Sequence, residues 1–135
     1  MHVSDLMKRD PVCIQGRAPF LEIAESFIRN HFVHLYVVDE DTFKGVINLH
    51  DIKAYLNSPE LSTLVIARDL VRENCPTTTP EATLAQALRS FSHYDGDRLP
   101  VIANHGEHRL IGSISKSDIL LALAEETKQE DTPHT

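Results

Sequence analysis

Two aspartates stand in matching short motifs whose residue types suit the binding of a hydroxyl-bearing anion. Residues 45–51 read Gly-Val-Ile-Asn-Leu-His-Asp, and residues 112–118 read Gly-Ser-Ile-Ser-Lys-Ser-Asp. In each motif an apolar strand pattern leads into a helix pattern, so Asp51 and Asp118 fall in the first turn of a predicted helix. A helix start presents free N–H groups and a positive dipole end, which attract anions. A carboxylate at that place can accept hydrogen bonds from vicinal hydroxyls, such as those of a ribose.

The same spacing also allows a purely structural role. Asn48 and Ser115 each stand three residues before the aspartate. This is the spacing of a capping box, in which one side chain caps the helix and an acid returns the bond. Gly45 and Gly112 would then serve only the close packing of helix against strand. The residues alone leave both interpretations open.

The two motifs belong to a duplication that runs through the chain. Three pairs of segments align at one constant distance along the chain, which we call the repeat offset: 3–10 with 67–74, 18–30 with 82–94, and 35–38 with 99–102. The second pair carries apolar residues at i, i+3, i+4 and i+7, the stripe of an amphipathic helix. A longer polar turn at residues 103–109 places the second aspartate motif slightly beyond this offset. The chain is therefore predicted to contain one design twice.

Each half predicts the order strand, helix, strand, strand, helix. The expected fold class is therefore α/β (α+β), with two β-α-β-β-α repeats packed with pseudo-two-fold symmetry. Since a unit of about 60 residues is marginal alone, we expect each apolar stripe to be buried against the other repeat. The sequence Thr79-Pro80-Glu81 predicts the start of the first long helix of the second repeat. The expected segments are a first repeat at 3–57, a linker at 58–66, a second repeat at 67–124 and a flexible tail at 125–135.

Composition excludes several classes of function. The net charge of −7 argues against a nucleic-acid surface, which is usually basic. No apolar run approaches the ~18 residues of a membrane span, and residues 1–10 lack the apolar core of a signal peptide. Two cysteines without metal-type spacing fit a reducing compartment. The histidine pairs at 31/34 and 105/108 have no further ligands in sequence, so no metal site is expected.

The linked motifs resemble the tandem cystathionine-β-synthase (CBS) domain pair. The residues that carry the resemblance are "ATLAQAL", "LPVI" and "GSISKSD" in the second copy, and "PFLEIA", "YVVDE" and "GVINLHD" in the first. The match as a whole covers roughly residues 3–124. The resemblance implies a regulatory module that binds an adenosine nucleotide (AMP, ADP or ATP) in clefts between the repeats, without a metal. An enzyme would need an acid and a base in one cleft, and only His50, beside Asp51, hints at such a pair.

The resemblance also implies two sets of nucleotide-binding residues. The favoured cleft has Asp118 at the ribose, two serines near the phosphates, and three residues at the adenine end: Ser115, Ser117, Cys13, Phe32 and Val33. The weaker mirror cleft has Asp51, Asn48, Thr77, Gly96 and Asp97. The mirror cleft departs from the family pattern because Asn48 replaces a Ser or Thr and the Asp97 charge opposes a phosphate. The favoured cleft departs from it at Cys13, where a Thr is common.

A narrower resemblance concerns the protein to which the module belongs. The linker "PELSTLVIARDL" looks like the segment between the repeats in cytoplasmic tails of bacterial ClC-type chloride channels and transporters. This implies a location at the cytoplasmic face of the membrane, a membrane-spanning ClC partner domain and a homodimer. The alternatives are a free-standing nucleotide sensor in the cytoplasm and a dimerisation domain without a ligand. A nucleic-acid partner is not expected.

Overall fold

The structure, a computed structural model, describes residues 1–131 and the side chains of residues 1–128. Residues 132–135 of the expected tail lie outside the described residues. The chain forms two compact units. We call them the Asp118 unit (residues 1–11, 76–107 and 111 onward) and the Asp51 unit (residues 12–75 and 108–110).

The first repeat shows the predicted order of strands and helices, with additional short helices. In the second repeat the predicted first strand is reduced to an isolated bridge between Thr78 and Val101. The helices are α1 Val3–Leu6, α2 Phe20–Asn30, α3 Leu49–Leu56, α4 Pro59–Ser62, α5 Ala67–Leu70, α6 Leu84–Arg89 and α7 Lys116–Asp131. The strands are β1 Lys8–Arg9, β2 Cys13–Gln15, β3 His34–Asp39, β4 Thr42–Asn48, β5 Arg98–Asn104 and β6 Glu107–Ser115. The mixed α/β class is thus confirmed. The one-turn helices α1 and α5, at equivalent places in the two repeats, were not predicted.

Each unit has its own sheet connections. In the Asp51 unit, β2 runs parallel to β3, with Cys13 opposite Tyr36, and β3 runs antiparallel to β4, with Leu35 opposite Ile47. In the Asp118 unit, β1 pairs antiparallel with β6, and β5 also pairs with β6. These strands bring the ends of β4 and β6, with the two aspartate motifs, to the starts of α3 and α7.

The apolar helix stripes are buried inside separate cores. The core of the Asp51 unit contains the stripe of α2, namely Phe20, Ile23 and Phe27. The core of the Asp118 unit contains the matching residues Leu84, Ala87 and Phe91. Each stripe therefore packs within its own unit. The expectation that each would be buried only against the other repeat is wrong.

The two units exchange short segments relative to the sequence repeats. Residues 3–9 open the first repeat but belong to the Asp118 unit, where Val3 is fully buried. Residues 67–72 open the second repeat but belong to the Asp51 unit, where Ala67 is fully buried. The hydrogen bonds match at the repeat offset: Val3 N donates to Ala82 O and Ala67 N donates to Ala18 O, both at 2.9 Å. We call residues 3–9 and 67–72 the exchanged segments.

Two local expectations need correction. Helix α6 begins at Leu84 and not at Thr79-Pro80-Glu81, because the Thr83 hydroxyl accepts from Gln86 N at 3.1 Å and caps the helix there. Helix α7 continues to Asp131, so residues 125–131 are helical where a frayed tail was expected. In the described part of the chain, no helix is both long enough and apolar enough to cross a membrane.

Candidate functional site

The Asp118 corner, residues 115–118, lies where β6 passes into α7. The Ser115 hydroxyl accepts a hydrogen bond from Asp118 N at 3.0 Å, which confirms a capping role for this serine. Lys116 N donates to the carbonyl of Asp97 at 2.9 Å. Two of the free N–H groups of the helix start are thereby used within the unit.

The Asp118 carboxylate does not complete a capping box. Among residues 1–128 it has neither a hydrogen-bond partner nor an ion-pair partner, and it is half-buried. Within the same residues, the hydroxyls of Ser115 and Ser117 have no acceptor for their protons. The ammonium of Lys116 lies 5.7 Å from the centre of the Phe91 ring. The corner therefore offers one anionic acceptor and two hydroxyl donors within four consecutive residues, at the end of β6 and the start of α7.

The Asp51 corner, residues 48–51, has the same backbone position between β4 and α3 but different contacts. Arg72 donates to both carboxylate oxygens of Asp51, from Nε at 2.7 Å and from Nη2 at 2.8 Å. The hydrogen bond from Arg72, opposed by partial burial, holds the pKa of Asp51 below its ordinary value. Asn48 makes no side-chain cap, and its Oδ1 is buried without a hydrogen-bond partner among the described residues. The capping interpretation thus fails at Asn48.

The glycines of the two motifs allow the backbone of an exchanged segment to pack directly against the strand. Gly45 has φ +149°, and a Cβ atom there would lie 2.1 Å from the carbonyl oxygen of Arg72. At Gly112, a Cβ atom would lie 2.7 Å from the carbonyl oxygen of Lys8. Both distances are too short for any side chain, so glycine is required by a neighbouring backbone. The proposed role in helix–strand packing is replaced by this close approach.

The other predicted site residues are distributed over both units. Cys13, Phe32 and Val33 lie in the Asp51 unit, and Thr77, Gly96 and Asp97 lie in the Asp118 unit. Val33 O accepts from Leu49 N at 2.8 Å, which matches the bond from Lys116 to Asp97. Each predicted set therefore draws on residues of both units, and the two sets stay predictions.

The individual environments of these residues differ. Cys13 is exposed at the start of β2, and its partial desolvation raises the pKa of the thiol, which favours the neutral form. Thr77 lines a polar cavity of about 540 Å³ in the Asp118 unit. Gly96 is buried against the Tyr94 ring, which a Cβ atom would approach to 2.3 Å. The Asp97 side chain is exposed, 3.9 Å from Arg98 Nε. Its backbone lies against the Asp118 corner.

The described part of the chain contains no set of metal ligands. No group of three or more His, Cys, Asp or Glu side chains there is arranged to hold an ion.

Arg72 is the site residue that the sequence reasoning missed. A signal was present, because the repeat offset places Arg72 on Lys8, a cation in both copies. Nothing in the sequence showed that this position faces the aspartate motif, since that contact depends on the exchange of segments between units.

Comparison with known proteins now identifies the family. A model of the CBS domain matches residues 3–58 and 67–125. The chain belongs to the CBS-domain family. This CBS pair is 29% identical over 118 residues to a homoserine O-acetyltransferase of Methanosalsum zhilinae, covering 87% of the chain but only 23% of that relative. It is 26% identical over 125 residues to Hypoxic response protein 1 of Mycobacterium tuberculosis, covering 90% of the chain and 84% of the relative.

Solved structures share the fold of this CBS pair. A CBS domain pair/ACT domain protein from Thermotoga maritima has a TM-score of 0.77 at 24% identity, covering 93% of this chain and 98% of that one. CBSX2, solved in complex with AMP, has a TM-score of 0.73 at 21% identity, with coverage of 93% and 98%. The CBS domain of a bacterial CNNM/CorC family Mg²⁺ transporter, solved with ATP, has a TM-score of 0.77 at 13% identity, with coverage of 92% and 87%. Identities this low establish the fold alone.

Proposed function

We propose that this CBS pair is a regulatory module that binds an adenosine nucleotide at the Asp118 corner and performs no reaction on it. The observation that carries the proposal is the unpaired Asp118 carboxylate, among residues 1–128, beside the hydroxyls of Ser115 and Ser117. A nucleotide offers the complementary groups, since ribose hydroxyls donate and phosphate oxygens accept. The complexes of CBSX2 with AMP and of the CNNM/CorC domain with ATP support the choice of ligand class. Cys13, Phe32 and Val33 are proposed for the adenine end.

Calorimetric titration with AMP, ADP and ATP tests this function. A ligand that binds only the native state also raises the melting midpoint. A hydrogen bond to an ionised carboxylate contributes roughly 1.5–3 kcal/mol, so Asp118→Ala should weaken binding at least about tenfold. Asp51→Ala is the matched control and should change the affinity little, because Arg72 already holds that carboxylate. Equal losses in both variants, or a loss in Asp51→Ala alone, would contradict the proposal.

Absence of catalysis is tested separately. Catalysis of hydrolysis requires a positioned acid or base at the phosphates. The proposal assigns the Asp118 carboxylate to the ribose hydroxyls, and residues 115–118 hold no second carboxylate and no histidine. After incubation of the protein with ATP, chromatography should recover ATP alone. Appearance of ADP or AMP, lost in Asp118→Ala, would make this chain an enzyme.

We also propose a homodimer. Large apolar side chains remain exposed on α2 (Leu21 and Ile28) and on α7 (Leu120 and Leu121), and exposed apolar patches mark sites of interaction. The resemblance to CBS pairs points to a second copy. Light scattering at micromolar protein concentrations should give about twice the mass of 15.2 kDa. Detection of a 15.2 kDa species alone would refute the dimer.

The linker at residues 58–66 suggests which larger protein contains this CBS pair. Its similarity to ClC tails supports a cytoplasmic domain of a chloride channel or transporter, and the alternative is a free-standing nucleotide sensor. Immunoblotting of fractionated source cells distinguishes them. A band of much higher mass in the membrane fraction supports a ClC channel or transporter that contains this CBS pair. A soluble band near the 15.2 kDa of this chain supports the sensor.

A further inference from the structure

The two aspartate corners differ in what already occupies the carboxylate. At the Asp51 corner the forked guanidinium of Arg72 takes one bond to each oxygen. At the Asp118 corner the carboxylate has no such partner among residues 1–128. The difference lies in side chains, because the backbone arrangement of the two corners is the same.

The residue that makes the difference comes from an exchanged segment in each unit. Arg72 pairs with Val46 through two backbone hydrogen bonds, Arg72 N to Val46 O at 2.7 Å and Val46 N to Arg72 O at 3.0 Å. Lys8 occupies the equivalent place and pairs with Ser113 of β6. An arginine fork can take both oxygens of a carboxylate, whereas a lysine ammonium is a single point of charge on a flexible stem. One residue type at one position therefore distinguishes the corners.

Arg72 competes directly with a ribose. Two vicinal hydroxyls, like the guanidinium fork, present a pair of donors to the two oxygens of a carboxylate. The bonds from the guanidinium are charge-assisted, and such bonds are roughly twice as strong as those from neutral donors. The backbone of Arg72 is bonded to Val46, and its guanidinium already contacts both oxygens of Asp51 without a ligand. The Asp51 side chain is only 23% exposed, which restricts the approach of a second set of donors.

We propose that Arg72 determines the number of nucleotides this chain binds, by closing the Asp51 corner to vicinal hydroxyls while Lys8 leaves the Asp118 corner open. The inference rests on the proposed function and adds its stoichiometry: one nucleotide per chain. The closure depends on the charged fork of Arg72, which a lysine of the same charge does not reproduce. Exchanging the two cations should therefore exchange the behaviour of the corners.

Calorimetric titration with AMP and with ATP tests the proposal on a set of full-length variants. The wild type should bind one nucleotide per chain. Arg72→Lys, which keeps the charge, and Arg72→Gln, which removes it, should each bind two. Arg72→Gln/Asp51→Asn should return to one. Lys8→Arg should weaken the wild-type site at least about tenfold.

The outcomes separate this inference from the proposed function. No binding by any protein in the set would refute the nucleotide function itself. One site in the wild type and still one in both Arg72 variants would overturn the role of Arg72 alone, as would two sites in the wild type. Melting curves for every variant identify loss of fold, and Arg72→Lys, as the mildest change, carries the conclusion if Arg72→Gln is unstable.

Discussion

Substitution of Gly45 by alanine probes how closely the exchanged segment is held. The new Cβ would lie 2.1 Å from the carbonyl oxygen of Arg72, far inside contact distance. Because the obstacle is backbone, no side-chain rotation can relieve it. The segment around Arg72 must move away from β4, or Gly45 must change its φ of +149°.

The expected cost follows from what such a shift breaks. The two backbone bonds between Arg72 and Val46 are worth about 0.5–1.5 kcal/mol each. A non-glycine residue in this backbone region adds about 1–3 kcal/mol of strain. Gly45→Ala should therefore lower the free energy of unfolding by about 2–6 kcal/mol, a large share of the stability of a small protein.

Urea denaturation followed by circular dichroism measures this loss, with Gly106→Ala as the matched control. At Gly106 the nearest atom to a new Cβ is the side-chain oxygen of Asn104 at 3.3 Å, so a small adjustment suffices. The control should stay within about 1 kcal/mol of the wild type. A loss in Gly45→Ala no larger than that of the control would refute the close approach as the reason for this glycine.

Three further predictions concern the segments and the corners. Cleavage of the chain at Pro59 should leave two halves without cooperative melting, because each exchanged segment is severed from its core; halves that melt cooperatively would contradict this. Ser115→Ala should cost about 1 kcal/mol in urea denaturation through loss of a cap, whereas Asn48→Ala should cost less, since that side chain caps nothing. Because Arg72 lowers the pKa of Asp51 in the folded state, the ion pair contributes stability above the unfolded pKa and loses it as the pH falls through the folded one. The stability difference between wild type and Arg72→Gln, under about 1 kcal/mol, should therefore be present at neutral pH and vanish in strong acid, and a difference independent of pH would contradict the assignment.

The parts of the fold set by local pattern were predictable. The stripe of Phe20, Ile23 and Phe27 predicted α2, and the duplicated motifs placed both aspartates in the first turn of a helix. The start of α6 was misplaced because the Thr79-Pro80 signal competed with a better cap at Thr83, where Gln86 completes the box.

The features that depend on contacts distant in sequence were not predictable. The repeat offset showed that residues 3–10 and 67–74 are related, but periodicity does not say which core receives them. The role of Gly45, the pairing of Arg72 with Asp51 and the unpaired state of Asp118 among residues 1–128 all follow from that assignment. Candidate site residues could therefore be named from sequence. The difference between the two corners depends on the contact of Arg72 with Asp51, which only the three-dimensional structure shows.

The exchange of segments has a consequence for synthesis on the ribosome. Val3 leaves the ribosome well before its core partners Leu84 and Ile119, which are translated on the order of ten seconds later at typical elongation rates. The apolar core of the Asp51 unit is complete in sequence once residues 67–72 have emerged, at a point where Val3 and its neighbours still lack theirs. The nascent chain thus carries the apolar side chains of Val3, Leu6 and Met7 without their complete core until Ile119 has been added, which makes this segment an early binding site for chaperones.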